Sequence, residues 1–298
     1  MGRTVLITGA TGNVSGALID ALEGSGLELR GLVRDGSKAG DLEGKGVTPV
    51  VGDLDDPLTL PSVFAGVDDL WLLNVTSPRA PENSMNAVWA AREAGVERIV
   101  RMSAVGAAVD APTRNGRLHA ISDAELEHSG MRWTVLRPHF FMQNLLGMAE
   151  GIAVDGAIYM NMGDARVGMV DVRDIAELAA KVLRAEPERH DGKIYTVTGP
   201  AAVSFTQVAA ELGEELGREV SYVPVPDEAA AQAMREMGLS QWLVDLSVEY
   251  AEAFRSGWGE VTSSDFERVV GRAPRSFAEF ARDHAAAFGA VQQAGVHS

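Results

Sequence analysis

The chain has 298 residues, of which 46% are hydrophobic and 23% charged, a size and composition suited to one large α/β domain with a small appendage. A net charge of −16 repels phosphate backbones and anionic membranes, and no apolar run approaches the roughly 18 residues of a membrane span, which argues against nucleic-acid and membrane partners. Cysteine is absent and the first strand begins at residue 4, so disulfide and thiolate chemistry are excluded and a cytoplasmic protein without a signal peptide is expected.

Thr4-Val5-Leu6-Ile7 reads as a buried strand, and Gly9-Ala10-Thr11-Gly12-Asn13 as a glycine turn opening a helix. In that helix Val14, Ala17, Leu18, Ala21 and Leu22 recur at helical spacing. Residues 27–34 predict a second strand, residues 47–51 a third closed by Gly52-Asp53-Leu54, and Leu70–Leu73 a short fourth ending at Asn74. A helix from about Asn83 to Ala94 stops at Gly95, and Arg98–Ser103 is a fifth strand. A helix over roughly His119–His128 then feeds the strand Trp133–Leu136. This alternation predicts an α/β fold built on a doubly wound parallel sheet.

The second half is less regular. Asp171-Val172-Arg173-Asp174 has capping-box character and starts a helix to about Leu183, its carboxylates read as cap and helix-dipole charge. Lys193–Thr198 reads as a strand, Phe205–Leu216 as a helix and Val220–Val225 as a strand, with two or three more helices to about Phe288 and a frayed last ten residues. Residues 1–150 are expected to form the nucleotide-binding Rossmann domain, completed by part of 165–200. Residues 151–298 are expected to be a mixed segment that includes a smaller, mostly helical C-terminal substrate lobe woven into the main domain.

Strand, glycine turn and helix in that order suit a dinucleotide pyrophosphate: backbone N–H groups approach the phosphates and the helix N-terminus adds partial positive charge. Gly9, Thr11, Gly12, Asn13 and Val14 are the expected contacts. The third glycine of the usual spacing is replaced by Ser15, with Gly16 one step late; that glycine serves helix–strand packing, so the pattern is weakened but the site is kept. Beyond the second strand, Arg34 and Lys38 can grip the 2′-phosphate of NADP, while Asp35 keeps a ribose hydroxyl and NAD in play; NADP(H) is favoured. Asp53 and Leu54 lie where an adenine would be flanked, although Asp53 can equally cap the next turn. Asn74, Val75 and Thr76 end the fourth strand at the crevice and suit the nicotinamide half.

The chain resembles the short-chain dehydrogenase/reductase superfamily, and within it the atypical NmrA-like branch. Thr8–Asn13, Leu32-Val33-Arg34…Lys38, Gly52-Asp53-Leu54, Ala91–Val96, Ile99…Ser103-Ala104 and Ser129-Gly130…Thr134-Val135-Leu136-Arg137-Pro138 carry the resemblance, over about the first 200 residues. The resemblance implies NADPH-dependent quinone, azo dye and triphenylmethane reductases, or redox-sensing regulators without activity. Ordinary members of the superfamily use a serine with Tyr-x-x-x-Lys. Ser103 matches the serine region, but the tyrosine and lysine positions fall on Asn115 and His119. Without that acid, ketone reduction is disfavoured and electron-poor conjugated acceptors are indicated. Epimerase chemistry is disfavoured for the same reason.

His119 and Ser103 are therefore the candidate catalytic residues, both also placed against the cofactor. His119 is read as a ribose contact or as a proton relay assisted by Asp123 one helical turn on, or else as a polar residue at a helix N-terminus. Phe140, Phe141, Met142 and Asn144 follow the sixth strand and, with Trp242, are candidates for a flat aromatic substrate; the apolar ones suit a core equally well. Neither a metal cluster nor a Gly-x-Ser-x-Gly elbow is evident. The expected function is an NADPH-dependent oxidoreductase passing hydride to a quinone or similar aromatic acceptor, as monomer or homodimer. The alternative is an NADP(H) sensor that binds a protein partner.

Overall fold

The computed structural model describes residues 2–289. In chain order the elements are β1 (Thr4–Ile7), α1 (Asn13–Ala21), β2 (Glu28–Val33), α2 (Ala39–Glu43), β3 (Thr48–Val51), α3 (Leu60–Phe64), β4 (Asp69–Leu72), α4 (Ala80–Ala94), β5 (Arg98–Met102), α5 (Arg114–Glu127) and β6 (Arg132–Pro138). There follow α6 (Ala149–Asp155), β7 (Ala157–Met160), β8 (Arg166–Val167), α7 (Val172–Arg184), β9 (Lys193–Val197), β10 (Val203–Ser204), α8 (Phe205–Leu216) and β11 (Ser221–Pro224). The described chain ends with α9 (Asp227–Glu236), α10 (Gln241–Arg255), α11 (Asp265–Val270), α12 (Phe277–Asp283) and α13 (Ala285–Gly289).

The chain divides into two compact units. The first holds residues 2–138, Val172–Val197 and Ser264–Arg272; the second holds His139–Asp171, Thr198–Ser263 and residues 273–289.

The first unit is a seven-stranded sheet in the order β3-β2-β1-β4-β5-β6-β9, every pair parallel, as the alternation of strands and helices predicts. Parallel strands need helical crossovers, which cover both faces and bury the strands on both sides. The alternating side chains Leu6, Leu70, Leu72, Ile99 and Val135 share one core with residues of α3, α4 and α5. Across the sheet α1 packs on α7, and α11 packs on α7 and β9. Arg272 ties the late return to α7, bonding Asp174 at 2.7 Å and also Glu177.

The strand order reverses between β1 and β4, which opens a crevice at their carboxyl ends. The buried Ser15 stitches this switch point. Its hydroxyl donates to the carbonyl of Thr8 at 2.9 Å and accepts from Trp71 Nε1 at 3.0 Å, joining α1, the end of β1 and β4. The serine in the third glycine's place is thus a bonded bridge and not merely a tolerated small residue. Ser15→Ala leaves the Trp71 N–H buried without a partner and should cost about 2 kcal/mol of stability, measured by urea denaturation. A loss within about 0.5 kcal/mol, the ordinary effect of a neutral substitution, would contradict this bridge.

The second unit has its own core, with Phe205, Phe254, Phe280 and Phe288 at its centre. Two short strand pairs, β8 with β10 antiparallel and β7 with β11 parallel, complete it alongside α6, α8, α9, α10, α12 and α13.

Several element boundaries differ from the sequence expectation. Helix α4 starts at Ala80, because Pro81 fits a first helical turn where the missing N–H costs nothing. Helix α5 starts at Arg114, because Thr113 caps it by accepting from the Gly116 N–H at 3.1 Å. Among the described residues five helices follow β11, where two or three were expected. Apart from the 15-residue α10 they run to ten residues or fewer, and glycines such as Gly238, Gly257 and Gly271, whose positive φ ends or turns the chain, separate them. The last ten residues, expected to fray, lie outside the described residues except for Gly289.

Candidate active site

The turn after β1 is built to carry a ligand on backbone atoms. Gly9 has φ +59°, and a Cβ there would stand 2.9 Å from Leu73 Cδ2. Only glycine meets both conditions without strain. Thr8 pins the turn to β4, its Oγ1 accepting from the Leu73 N–H at 2.7 Å, and Gly12 N–H donates to the Gly9 carbonyl at 2.9 Å. Gly12 is the N-cap of α1 and supplies no side-chain cap, and no acidic residue occupies the first turn. The first-turn N–H groups and the positive end of the helix are therefore left to an anion. Thr11, Gly12 and Asn13 are exposed there, while Val14 is buried and anchors the helix from beneath.

Arg34 and Lys38 lie exposed just beyond β2. Between them Asp35 accepts from the Ser37 N–H at 2.8 Å and caps a short helical turn. Hydrogen bonding from Ser37, then the charges of Arg34 and Lys38, hold its carboxyl below the usual range. One oxygen of Asp35 is thus occupied by its own turn. Asp53 does the same after β3, accepting from the Asp55 N–H at 3.0 Å, and Leu54 is buried in the core of the first unit. The Asn74 amide donates to the Ala80 carbonyl at 3.0 Å and to Ser84 Oγ at 2.6 Å, which leaves its buried Oδ1 without a partner. Val75 and Thr76 are exposed beyond β4.

At the ends of β5 and β6 lies a compact polar cluster. Asp123 on α5 accepts from Ser103 Oγ at 2.8 Å, from Arg137 Nη2 at 2.9 Å and from Arg101 Nη1. The other Arg101 amino group meets His119 Nδ1 at 3.1 Å. Arg101, Ser103 and Asp123 are buried, and Arg101 Nε has no partner. His119 remains partly exposed, yet burial first, and then the charges of Arg101 and Arg137, push its pKa down to about 3. It is neutral at physiological pH.

This geometry corrects the expected relay. Asp123 reaches His119 only through Arg101, so no carboxylate–imidazole pair assists a proton transfer. Ser103 donates its hydroxyl proton to Asp123, so as placed it serves to hold that carboxylate. Asn115 lies buried one turn before His119. Arg101 was not foreseen, although two arginines in the apolar run of β5 are a readable sign of buried ion pairs.

The residues expected to contact substrate all belong to the second unit. Met142 is 1% exposed and fills its core, so as placed it cannot form part of an aromatic platform. Phe140 is half-buried, edge-on to Phe205 with ring centroids 6.1 Å apart. Phe141 is half-buried and bridges to Val170, Asn144 is exposed, and Trp242 is half-buried on α10. Among the described residues no group of three or more His, Asp or Glu side chains is disposed to hold a metal. No helix there is long and apolar enough to cross a membrane.

Residues 9–186 match the NAD(P)H-binding family. The chain is 38% identical over 287 residues to an NAD(P)H azoreductase of Xenophilus azovorans, covering 96% of this chain and 100% of the relative. It is 31% identical over 290 residues to a (4-alkanoyl-5-oxo-2,5-dihydrofuran-3-yl)methyl phosphate reductase of Streptomyces griseus subsp. griseus, covering 95% of this chain and 99% of the relative. Among solved structures, the NADPH-dependent quinone oxidoreductase of Escherichia coli complexed with NADPH superposes with a TM-score of 0.82 at 27% identity, covering 94% of this chain and 99% of that one. The glycine turn at the switch point of a parallel sheet and these likenesses lead to one conclusion: the chain belongs to the NAD(P)H-binding family, as an oxidoreductase.

Proposed function

We propose that the protein is an NADPH-dependent reductase of electron-poor conjugated acceptors, quinones and azo compounds among them. The observation that carries this reading is the neutral His119 at the position where the superfamily resemblance expects the lysine of a tyrosine–lysine acid. The likeness to an azoreductase and to a quinone oxidoreductase supports the same acceptor class. The partner is a small aromatic molecule, with neither nucleic acid nor membrane involved, and the setting is cytoplasmic.

The residues present fit the cofactor. The uncapped start of α1 and the exposed backbone of Thr11–Asn13 would hold the pyrophosphate, and Arg34 with Lys38 would hold the 2′-phosphate. Asn74, with its buried unpaired Oδ1, would face the nicotinamide amide. When bound, the reduced nicotinamide supplies the hydride. The chain's own contribution is orientation and a hydrogen bond. Arg101 only donates, so Nδ1 of His119 accepts and the ring proton sits on Nε2. That N–H would donate to the oxygen or nitrogen where negative charge develops, with the balancing proton taken from solvent. A quinone yields a stabilised phenolate, for which such a hydrogen bond suffices; an ordinary ketone yields a strongly basic alkoxide, for which it does not.

NADPH oxidation with a panel of benzoquinones, naphthoquinones, azo dyes and cationic triarylmethane dyes tests the reading. Turnover of the quinones or azo dyes is expected, with simple ketones inert. Tight NADPH binding with turnover of none of them would overturn the enzyme and favour an NADP(H) sensor.

Arg34→Glu tests the cofactor choice separately. Loss of a charge-assisted hydrogen bond of about 1.5–3 kcal/mol should weaken NADPH binding about 10- to 100-fold, with NADH binding nearly unchanged in fluorescence titration. An equal effect on both nucleotides would remove Arg34 from the 2′-phosphate.

A further inference from the structure

We propose that Arg101 is a positioning residue that fixes His119 as a neutral imidazole with its proton on Nε2, making it a permanent hydrogen-bond donor and neither a general acid nor a general base. The catalytic consequence rests on the preceding reading that His119 contacts the acceptor; the tautomer does not.

Geometry carries the inference. An arginine guanidinium has five donors and no acceptor, so its 3.1 Å approach to Nδ1 has only one bonded arrangement, with Nδ1 accepting. The imidazole then keeps one proton, on Nε2. No partner in the described residues claims Nε2, and the ring is partly exposed. Arg101 itself cannot turn away. It is buried, and its second amino group is held by Asp123, which Ser103 and Arg137 also grip. The same Arg101 carries an unpaired buried Nε–H. Its donors are thus directed to Asp123 and His119 at the expense of full satisfaction. A cation donating to Nδ1 also polarises the ring and strengthens its Nε2–H as a donor.

The surrounding charges act in the same direction. Arg101 from β5 and Arg137 from β6 both oppose a proton on His119. Asp123, on the same helix, is neutralised by those two arginines. On α4, which packs against α5, Glu82 pairs with Arg79 and Arg92 with Glu93. Glu125, also on α5, faces Arg101 and Arg92, and among the described residues no carboxylate acts on His119 itself.

The test is nitrogen NMR of the full chain labelled in histidine, without cofactor, with His119 assigned by loss of its signals in His119→Gln. The expected wild-type ring shows the Nε2–H tautomer and no titration between pH 5 and 8, a window well above the depressed pKa of about 3. In Arg101→Met the tautomer should become mixed and the titration midpoint should rise toward the ordinary histidine value without reaching it, because burial and Arg137 still oppose the proton. Arg101→Lys, which can still donate to Nδ1, should restore the single tautomer. An Nδ1–H tautomer or a midpoint near 6.5 in the wild type overturns the proposal, as does a folded Arg101→Met that behaves like wild type. If Arg101→Met does not fold, pairing it with Asp123→Asn removes the carboxylate left alone and gives the same two readouts. Unchanged turnover in His119→Ala, which has no donor, would instead reject the contact between His119 and the acceptor, leaving the tautomer assignment standing.

Discussion

Arg98→Met should lower the stability of the protein by about 3–5 kcal/mol, the cost of breaking a buried ion pair from one side. Arg98 is fully buried in the sheet, and its Nε donates to Asp69 Oδ1 at 2.8 Å. Its two amino groups donate to the carbonyls of Val182 at 2.8 Å, Ala185 at 3.0 Å and Leu183 at 2.9 Å. Val182 and Leu183 lie in the last turn of α7 and Ala185 just beyond it, where carbonyls run out of partners along the helix, so one side chain in β5 terminates a helix on the face of the sheet. Methionine fills the stem's volume and supplies none of these donors. Asp69 keeps Arg3, at 2.9 and 3.0 Å, so the loss should sit mainly at the end of α7. Urea denaturation measures the total, and faster amide exchange over residues 178–184 than in the rest of the sheet locates it. A loss below about 1 kcal/mol, the mean for an arbitrary substitution, would mean that water takes over those carbonyls.

Gly9→Val should weaken NADPH binding by about two orders of magnitude. A β-branched residue at φ +59° is strained by about 1–2 kcal/mol or more, and its Cβ would press into Leu73 at 2.9 Å. The turn must shift, and the first-turn N–H groups of α1 shift with it. Losing two charge-assisted hydrogen bonds at about 1.5 kcal/mol each amounts to roughly 100-fold in affinity. Calorimetric titration reads the affinity, and circular dichroism confirms that the sheet survives. Gly16→Ala is the control: nothing lies within 4 Å of a Cβ there, so binding should be kept. Retained binding in Gly9→Val would remove the turn from the cofactor site.

What was legible in the sequence was local. Strand, glycine turn and helix at residues 4–21, and Arg34 at the end of β2, are short-range patterns set by periodicity and turn chemistry, and the sheet follows from their repetition. The candidate cluster was half-legible. His119, Asp123 and Ser103 stood out through spacing and resemblance, but Arg101 bonds a residue 22 positions away, a pairing no local pattern encodes. Ser15 read as a lost glycine because its meaning depends on Trp71, 56 residues on. Starts of helices were misjudged where Pro81 or Thr113 supplied the signal and weaker helix formers followed. Met142 could not be told from a binding residue, since an apolar side chain after a strand serves either purpose.

The path of the chain between its two units has a practical consequence. The polypeptide passes from one to the other after residues 138, 171, 197, 263 and 272, so the cofactor-binding unit is not a contiguous cassette. A fragment ending at 150 would lack β9 at the sheet's edge, and α7 with its buried Ile175, Leu178, Ala179 and Val182. It would present that apolar surface to water, and the buried donors of Arg98 would face nothing. Grafting this nucleotide grip onto another protein, or halving the gene to assay the parts, should therefore yield aggregates.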